Sequence, residues 1–260
     1  MVLSFPNFTG ACAGALTCVG NTAVSGTRLR VTPSALNQSG AGYSTTAITL
    51  GPGATFSTTF QFQITNAGGI APADGITFVL AANPSGLGSS GGGLGYQGVP
   101  NSVAIEFDTF NNGVADLSSN HVAIDVGGVL TNTASANPYG VATCVFPTSY
   151  LSMGCLANGD IWTAVIGYDG TNLTASVQDG ANAVQTVINS FPINIAADLG
   201  TINAFVGFTG GTGQGFENQD ILNWQLATDT SLGPPTVPEP ATLALLGVGL
   251  AGLGFSRRKR

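Results

Sequence analysis

The stretch that decides the fold is residues 103–126, VAIEFDTFNNGVADLSSNHVAIDV. Five polar side chains of metal-ligating type fall within sixteen positions of it: Glu106, Asp108, Asn112, Asp116 and His121. His121 is the only histidine, and charged residues make up 7% of the chain. A cluster of this kind is therefore not expected by chance, and it marks a candidate site.

Side-chain alternation predicts two strands in this stretch, each with one polar and one apolar face. Glu106 and Asp108 share a face of the first strand, and the apolar positions between and before them form the other. His121 begins the second strand, where the same alternation recurs. If the two strands fold back antiparallel, His121 comes near the two carboxylates, and the intervening loop supplies Asn112 and Asp116.

The residue types in this hairpin favour metal binding. Carboxylates with one imidazole suit a borderline transition ion, whereas carboxylate, amide and backbone oxygens suit calcium. The alternative is a hairpin with a polar loop and no ion. Apolar strands rarely bury Glu and Asp without a partner, which favours the metal interpretation.

The rest of the chain indicates an all-β fold. Phe56, Phe60, Phe62 and Ile64 alternate with polar residues, and the turn signal YDGTN at 168–172 separates further short runs. Short alternating runs punctuated by Gly and Asn predict an antiparallel β-sandwich. Roughly 230 residues is within range for one all-β domain. We expect this domain at 1–229, a proline-rich linker at 230–240 and an apolar segment with a basic end at 241–260.

Charge is distributed unevenly along the chain. The net charge is −7, and four of the six Lys and Arg residues are the last four, so the body keeps only Arg28 and Arg30. Phosphate contacts need Lys and Arg, which argues against a nucleic-acid partner. A neutral polysaccharide is a plausible partner for such a surface.

The four cysteines form two close pairs in the sequence, Cys12 with Cys18 and Cys144 with Cys155. Close pairs in a Thr- and Gly-rich β protein suggest two local disulfides and an oxidising compartment. The alternative is two pairs of inert thiols. The spacing of the first pair does not fit a zinc knuckle, and no histidine is near it.

Several motifs together resemble the L-type (legume-like) lectins. EFDTF-x-N, then Asp, then His-x-x-Ile-Asp, looks like the metal-binding segment of that family. Four further segments look like family strands and loops in the expected order: NQSGAGYST at 37–45, ADGITFVLA at 73–81, SGGGLGYQ at 90–97 and VGFTGGTGQGFENQDILNWQL at 206–226. The resemblance covers roughly residues 3–228 and implies a concanavalin-like jelly roll.

The resemblance also implies two metal sites, for Ca²⁺ and for Mn²⁺ or another transition ion. The residues that match the transition-metal ligands are Glu106, Asp108, Asp116 and His121. The groups that match the calcium ligands are Asp108, Asn112, Asp116 and the backbone carbonyl of Phe110. On this assignment the two shared aspartates bridge the ions.

Sugar contacts implied by the resemblance come from Asp74, Asn112 and a backbone N–H at Gly92 or Gly93. Phe110 offers its ring to sugar C–H groups. Gly93 stands where the family often has an aromatic residue, which leaves the choice between the two glycines open. The family also has a cis peptide before the aspartate that corresponds to Asp74.

The C-terminal tail looks like a PEP-CTERM sorting signal of Gram-negative bacteria. VPEP at 237–240 is followed by the uncharged run ATLALLGVGLAGLGFS at 241–256 and then by RRKR. Such signals resemble substrates of exosortases, membrane enzymes of the cell envelope. The apolar run predicts a short transmembrane helix, although sixteen residues falls short of the usual span of about twenty. The alternative is a plain membrane anchor.

The function expected from these features is an exported, metal-dependent lectin of the cell envelope or extracellular matrix. An export-linked tail also predicts a signal peptide, which we expect upstream of Met1. One alternative is a structural matrix protein that keeps the fold without sugar binding. A glycan-cleaving enzyme needs two carboxylates flanking the bond, and the body offers only Glu217 as a second glutamate, so we expect no enzyme. A homodimer is possible, since family members often pair sheets edge to edge.

Overall fold

The computed structural model describes residues 2–113, 116–229 and 231–233. The strands in these residues are β1 Val2–Phe5, β2 Leu16–Gly20, β3 Ala23–Ser25, β4 Arg28–Thr32, β5 Ser39–Ser44, β6 Ile48–Thr49, β7 Phe56–Gly69, β8 Gly75–Ala81, β9 Ser102–Asp108, β10 His121–Val126, β11 Val129–Ala136, β12 Trp162–Tyr168, β13 Asn172–Asp179, β14 Gln185–Pro192, β15 Asn203–Gly211 and β16 Gly215–Thr228. Helical turns are short: three 3-10 turns, at Ala11–Ala13, Gly91–Gly93 and Pro138–Gly140, and α1 at Ile195–Leu199.

The strands form two antiparallel sheets. One sheet has the order β14-β13-β12-β7-β16-β4-β3, with β1 also paired to β16. The other has the order β11-β10-β9-β8-β15-β5-β2, with β6 paired to β15. The predicted all-β antiparallel sandwich is confirmed, and the candidate hairpin lies in the second sheet as β9 and β10.

The core lies between the two sheets and is rich in aromatic rings. Phe60 on β7 is fully buried, and its ring lies 4.9 to 6.1 Å, centroid to centroid, from the rings of Phe62, Phe78, Phe107 and Phe208. Phe107 belongs to β9, so the apolar face of the candidate hairpin is part of this core. Burial of that face fixes which side chains of β9 point the other way.

The longest ladder of the sandwich joins β7 to β16. Its register runs from Gly215 opposite Gly69 at one end to Thr228 opposite Phe56 at the other. At the second end, the backbone N–H of Leu232 donates to Ser57 Oγ over 3.1 Å. The loops of the candidate site leave the sheets at the first end of this ladder.

Both predicted disulfides are present. Cys12 bonds to Cys18 with Cα atoms 5.5 Å apart, and Cys144 bonds to Cys155 with Cα atoms 5.9 Å apart. The first closes a turn before β2, and the second closes a loop between β11 and β12.

The predicted apolar helix at 241–256 lies outside the described residues, as does most of the predicted linker at 230–240. Among the residues that the structure describes, every helix is too short to cross a membrane. The last strand within them, β16, ends at Thr228.

Candidate metal centre and glycan site

The pairing of β9 with β10 builds the centre of the candidate site. His121 lies opposite Asp108, and Ala123 lies opposite Glu106, in an antiparallel register. Phe107, on the other face of β9, is in the core. The carboxylates of Glu106 and Asp108 and the imidazole of His121 are all buried, at 2% exposure or less. The face assignment predicted from alternation is therefore confirmed.

These three side chains converge on one small volume. His121 Nε2 lies 2.9 Å from Glu106 Oε1. One ligand atom from each of Glu106, Asp108 and His121 lies within 4.8 Å of the other two. The other ring nitrogen, His121 Nδ1, donates to the carbonyl of Ser118 over 2.9 Å. That bond holds the ring with Nε2 turned toward the carboxylates, as metal-ligating histidines require.

The loop after β9 adds Asp116 and Asn112 to this group. Asp116 Oδ2 accepts a hydrogen bond from the backbone N–H of Asn112. Phe110 is held close by its own N–H, which donates to Asp108 Oδ1 over 2.7 Å. Of the six residues predicted as metal ligands, the structure groups Glu106, Asp108 and His121 within 4.8 Å, and Phe110, Asn112 and Asp116 lie in the adjoining loop.

Asn132 on β11 also reaches the centre, and sequence reasoning missed it. Its Oδ1 contacts His121 Nε2, and its Nδ2 donates to Asp116 Oδ1 over 3.4 Å. It lies in the run TNTASAN, where neither spacing nor charge distinguishes it from neighbouring polar residues. The location of Asn132 depends on how β11 pairs with β10, so no local sequence pattern could identify it.

Buried negative charge dominates the electrostatics of the centre. Burial, followed by the charges of Glu106 and Asp116, holds the pKa of Asp108 well above its usual range. Burial lowers the pKa of His121, but the hydrogen bond and charge of Glu106, together with the hydrogen bond of Asn132 and the charge of Asp116, outweigh that effect and leave it raised. On the same strand, burial and then Glu106 raise the pKa of Asp125 to about 8. These shifts show carboxylates that are costly to ionise without a nearby cation.

Asp74 directly precedes β8 and lies beside the loop that follows β9. The Ala73–Asp74 peptide is cis, as the resemblance implied. Its backbone N–H donates to Gly211 O over 3.0 Å, and its carbonyl accepts from Thr109 N–H over 2.9 Å. Its Oδ1 accepts from Asn112 Nδ2 over 3.4 Å, while its buried Oδ2 has no hydrogen-bond partner among the described residues. Burial raises the pKa of Asp74 to about 6.

The glycine loop packs against this pair of side chains. A Cβ on Gly92 would lie 2.4 Å from the Asn112 side chain, so a larger residue there would displace that side chain. Gly93 N–H donates to Ser90 O over 3.2 Å inside the turn, whereas Gly91 N–H donates to Thr212 O over 2.9 Å. Since the N–H of Gly93 is already used, Gly92 is the better placed of the two predicted glycines.

Glu217 is the second carboxyl that an enzyme would need, and the structure buries it. Its exposure is 0%, and its Oε1 accepts from Thr109 Oγ1 over 3.0 Å and from Gln219 Nε2 over 3.4 Å. Its Oε2 is buried without a partner among the described residues. Burial raises the pKa of Glu217 to about 8. Through Thr109, which also donates its backbone N–H to the Asp74 carbonyl, this carboxyl is linked to the segment that holds Asp74.

The second disulfide loop is tied to the β9–β10 loop through Asn120. The buried amide of Asn120 donates to Val141 O over 2.7 Å and to Gly154 O over 2.8 Å. Its Oδ1 accepts from Leu156 N–H over 2.8 Å. Because Asn120 directly precedes His121, the disulfide loop supports the segment that carries the imidazole.

Two protein-family models match the chain. The legume lectin domain matches residues 2–239, and the PEP-CTERM protein-sorting motif matches residues 236–259. The first match covers most of the chain and the whole sandwich. The fold and the acidic site around one histidine define a lectin-type β-sandwich, and the chain belongs to the legume lectin domain family.

Proteins similar in sequence include plant lectins and plant receptor kinases with a lectin domain. A lectin-like protein of Arabidopsis thaliana is 31% identical over 65% of this chain and 66% of its own length. The leucoagglutinating phytohemagglutinin of Phaseolus vulgaris is 30% identical over 76% of this chain and 68% of its own length. An L-type lectin-domain containing receptor kinase of Arabidopsis thaliana is 30% identical over 74% of this chain. The chain spans about a quarter of that kinase, 26%, and about two thirds, 66%, of the first relative.

Solved structures agree on the fold. A lectin from Bauhinia forficata in complex with GalNAc superposes with a TM-score of 0.72 at 24% identity, covering 88% of this chain and 98% of that one. Peanut lectin superposes with a TM-score of 0.73 at 22% identity, covering 88% of this chain and 98% of that one. Arcelin-5, a lectin-like defence protein from Phaseolus vulgaris, gives 0.68 at 19% identity, again with the same coverage.

Substitution of Glu217 tests its buried state. Its pKa of about 8 when folded exceeds the ordinary 4.5, so its stabilising contribution is complete below about pH 4.5 and is lost as pH rises toward 8. The side chain in Glu217→Gln stays neutral at every pH. Urea unfolding at fixed metal content should therefore show that the free energy of unfolding of the variant, relative to that of wild type, rises by more than about 1.4 kcal/mol between pH 5 and pH 8. Parallel pH profiles for the two proteins would contradict the buried, protonated carboxyl.

Proposed function

We propose that this protein is an exported lectin whose glycan binding depends on calcium and a transition ion. The observation that carries the proposal is the unpartnered, buried Asp74 Oδ2 beside Asn112. A buried acceptor without a partner costs about 1–3 kcal/mol, and a sugar hydroxyl would satisfy it. Membership of the legume lectin domain family supports the same assignment.

The donor set fits the two ions. Glu106, Asp108, Asp116 and His121 combine carboxylates with one imidazole nitrogen, which suits Mn²⁺ or a similar ion. Asp108, Asn112, Asp116 and the carbonyl of Phe110 offer only oxygen, which suits Ca²⁺. A bound divalent ion would supply positive charge where buried carboxylates otherwise repel one another.

Among the residues that the structure describes, no cationic side chain is available to play that role. The body of the chain has only Arg28 and Arg30. Both bind Asp220, Arg30 through two contacts of 2.8 Å and Arg28 through one of 3.4 Å. The acidic centre therefore depends on His121 or on bound ions for its charge balance.

The sugar site would use the chain's own residues in distinct roles. Asp74 would accept sugar hydroxyls, Asn112 would donate its amide hydrogens, and the backbone N–H of Gly92 would complete the set. Phe110 would offer its ring to sugar C–H groups. Gly213 Cα lies near Asp74 Oδ2, since a Cβ there would be 3.3 Å from it, so small residues keep this side open. A monosaccharide of a neutral polysaccharide or exopolysaccharide fits this description.

Two other functions have weaker support. A glycan-cleaving enzyme would need a second accessible carboxyl, and Glu217 is fully buried. A matrix protein without sugar binding would have no use for an unpartnered Asp74 Oδ2 next to a glycine that abuts Asn112. Both observations favour the lectin.

The PEP-CTERM motif at residues 236–259 carries the proposal for sorting. We propose that an exosortase-type enzyme processes the tail at the cell envelope of a Gram-negative bacterium, after the apolar run 241–256 has held the chain at the membrane. Two disulfides suit such an oxidising compartment.

Loss of Asp108 should remove both ions, because the residue is proposed to serve both sites. In Asp108→Ala, elemental analysis of purified protein should find neither calcium nor the transition ion. Asp169→Ala removes an exposed carboxylate from the β12–β13 turn and should keep wild-type metal content. Full metal content in Asp108→Ala would refute the assignment.

Two substitutions separate sugar contact from metal support. Asp74→Ala and Asn112→Ala should each weaken binding on a glycan array by about 1–3 kcal/mol, or roughly 5- to 150-fold, which is enough to erase a weak lectin signal. Asp74→Ala should keep both ions, whereas Asn112→Ala should lose calcium affinity. Asn189→Ala, at an exposed position of β14, is the control and should keep both glycan binding and metal content. Wild-type glycan binding by Asp74→Ala would place the sugar site elsewhere.

Processing of the tail can be read from intact mass. Protein recovered from the native host should be smaller than the translated chain and should lack residues 257–260. A Glu239→Ala variant, which alters the sorting motif, should accumulate as the longer species. A mature wild-type protein that retains Arg260 would reject processing and leave a simple membrane anchor.

A further inference from the structure

Asn132 is held beside the metal centre by its own backbone. Asp125 Oδ1 accepts the N–H groups of Thr131 and Asn132 over 2.8 and 3.0 Å. Asn132 has a φ of 50°, in the left-handed region that asparagine tolerates better than most residues. The pairing of β10 with β11 is irregular on both sides of Ile124. These features turn the Asn132 side chain toward β10.

The orientation of the Asn132 amide follows from its neighbours. Asp116 Oδ1 can only accept while ionised, so the NH₂ group of Asn132 faces it at 3.4 Å. The amide oxygen must then face the other neighbour, His121 Nε2, which it contacts. The opposite orientation would place two oxygens against each other on the Asp116 side.

Three electron-pair donors converge as a result. His121 Nδ1 gives its hydrogen to the carbonyl of Ser118, which can only accept, so Nε2 is the nitrogen left for a ligand. Nε2 faces Glu106 Oε1 at 2.9 Å on one side and Asn132 Oδ1 on another. An imidazolium hydrogen or a metal ion can satisfy this arrangement, and metal binding to histidine displaces the hydrogen.

We propose that Asn132 Oδ1 is an additional protein ligand of the transition ion, beside Glu106, Asp108, Asp116 and His121. The inference rests on the metal binding proposed above. Four oxygens and one nitrogen from the protein leave a single position for water in an octahedral ion. An oxygen-rich octahedral set favours Mn²⁺ over ions that prefer tetrahedral sulfur and nitrogen. Asp125 is then a positioning residue that holds the Asn132 backbone.

Water relaxation by bound Mn²⁺ tests the assignment directly. The inner-sphere relaxivity of Mn²⁺ is proportional to the number of exchanging waters on the ion. Wild-type protein loaded with Mn²⁺ should show the relaxivity of one such water. Asn132→Gly keeps the left-handed backbone but lacks the amide, so the relaxivity per bound ion should rise about twofold as a second water enters. Its Kd for Mn²⁺ should rise by at least about tenfold.

Two further variants control for general disturbance. Asn132→Asp offers a carboxylate oxygen at the same place and should keep the one-water relaxivity. Thr133→Ala removes an exposed hydroxyl from the same strand, one bonded to Thr131, and should match wild type in both measurements. The relaxivity and the Kd for Mn²⁺ are both measured without sugar, so neither depends on glycan binding.

The outcomes separate this inference from the proposed function. Wild-type protein that takes up no Mn²⁺ would refute the transition-ion site and the inference with it. Wild-type protein that binds Mn²⁺ with two waters, or Asn132→Gly with unchanged relaxivity per ion, would overturn the inference alone. If Asn132→Gly takes up no ion, the relaxivity of the wild-type protein decides the question. One exchanging water on the wild-type Mn²⁺ supports Asn132 as a ligand.

Discussion

The antiparallel pairing of β9 with β10 is the constraint on which the site depends. One face of the pair is committed to the aromatic core through Ile105, Phe107 and Ile124. A slip of one residue would turn every side chain to the other face, which would put Glu106 and Asp108 into that core. Hydrophobic burial thus holds the carboxylates opposite His121, and the arrangement of the proposed metal ligands is a by-product of core packing.

The chain has few charged residues, and this affects the charge balance of the candidate site. The chain solvates its surface with Ser, Thr, Asn and Gln and places its few acids in structured positions. Its two body cations are taken by Asp220, on the other sheet. Buried carboxylates without cations are costly, so the proposed ion binding at this centre would be linked in energy to folding. Removal of such ions would affect the fold near β9 and β10 as well as the proposed ligand site.

The sequence predicts the features that depend on local period. Alternation in residues 103–108 and 121–126 places Glu106, Asp108 and His121, because side-chain direction in a strand repeats every two residues. The same rule predicts the buried face of β7. The cysteine spacing predicts both disulfides, since short loops leave few other pairings.

What sequence reasoning missed depends on contacts between distant segments. Asn132 reaches His121 only through an irregular register with β10, which no local pattern encodes. Glu217 lies in the polar run FENQD, and residues 217–220 are all buried, which the polar composition of the run does not indicate. Gln219 and Asp220 there bind Thr32 and Arg30 on β4, so these two side chains find their partners across the sheet. Asn120 gains its role from a loop more than twenty positions away.

The β7–β16 ladder also sets a distance. Gly215 and Gly69 lie at the end that carries the Asp74 loop, and Thr228 and Phe56 lie at the other end, from which the chain continues toward its sorting motif. At roughly 3.3 Å per residue, the two ends are roughly 40 Å apart. In a protein tethered by its tail, the proposed glycan loops would lie at the end of the ladder remote from the point where the tail leaves the sandwich. The length of one strand pair would then separate a bound ligand from that point.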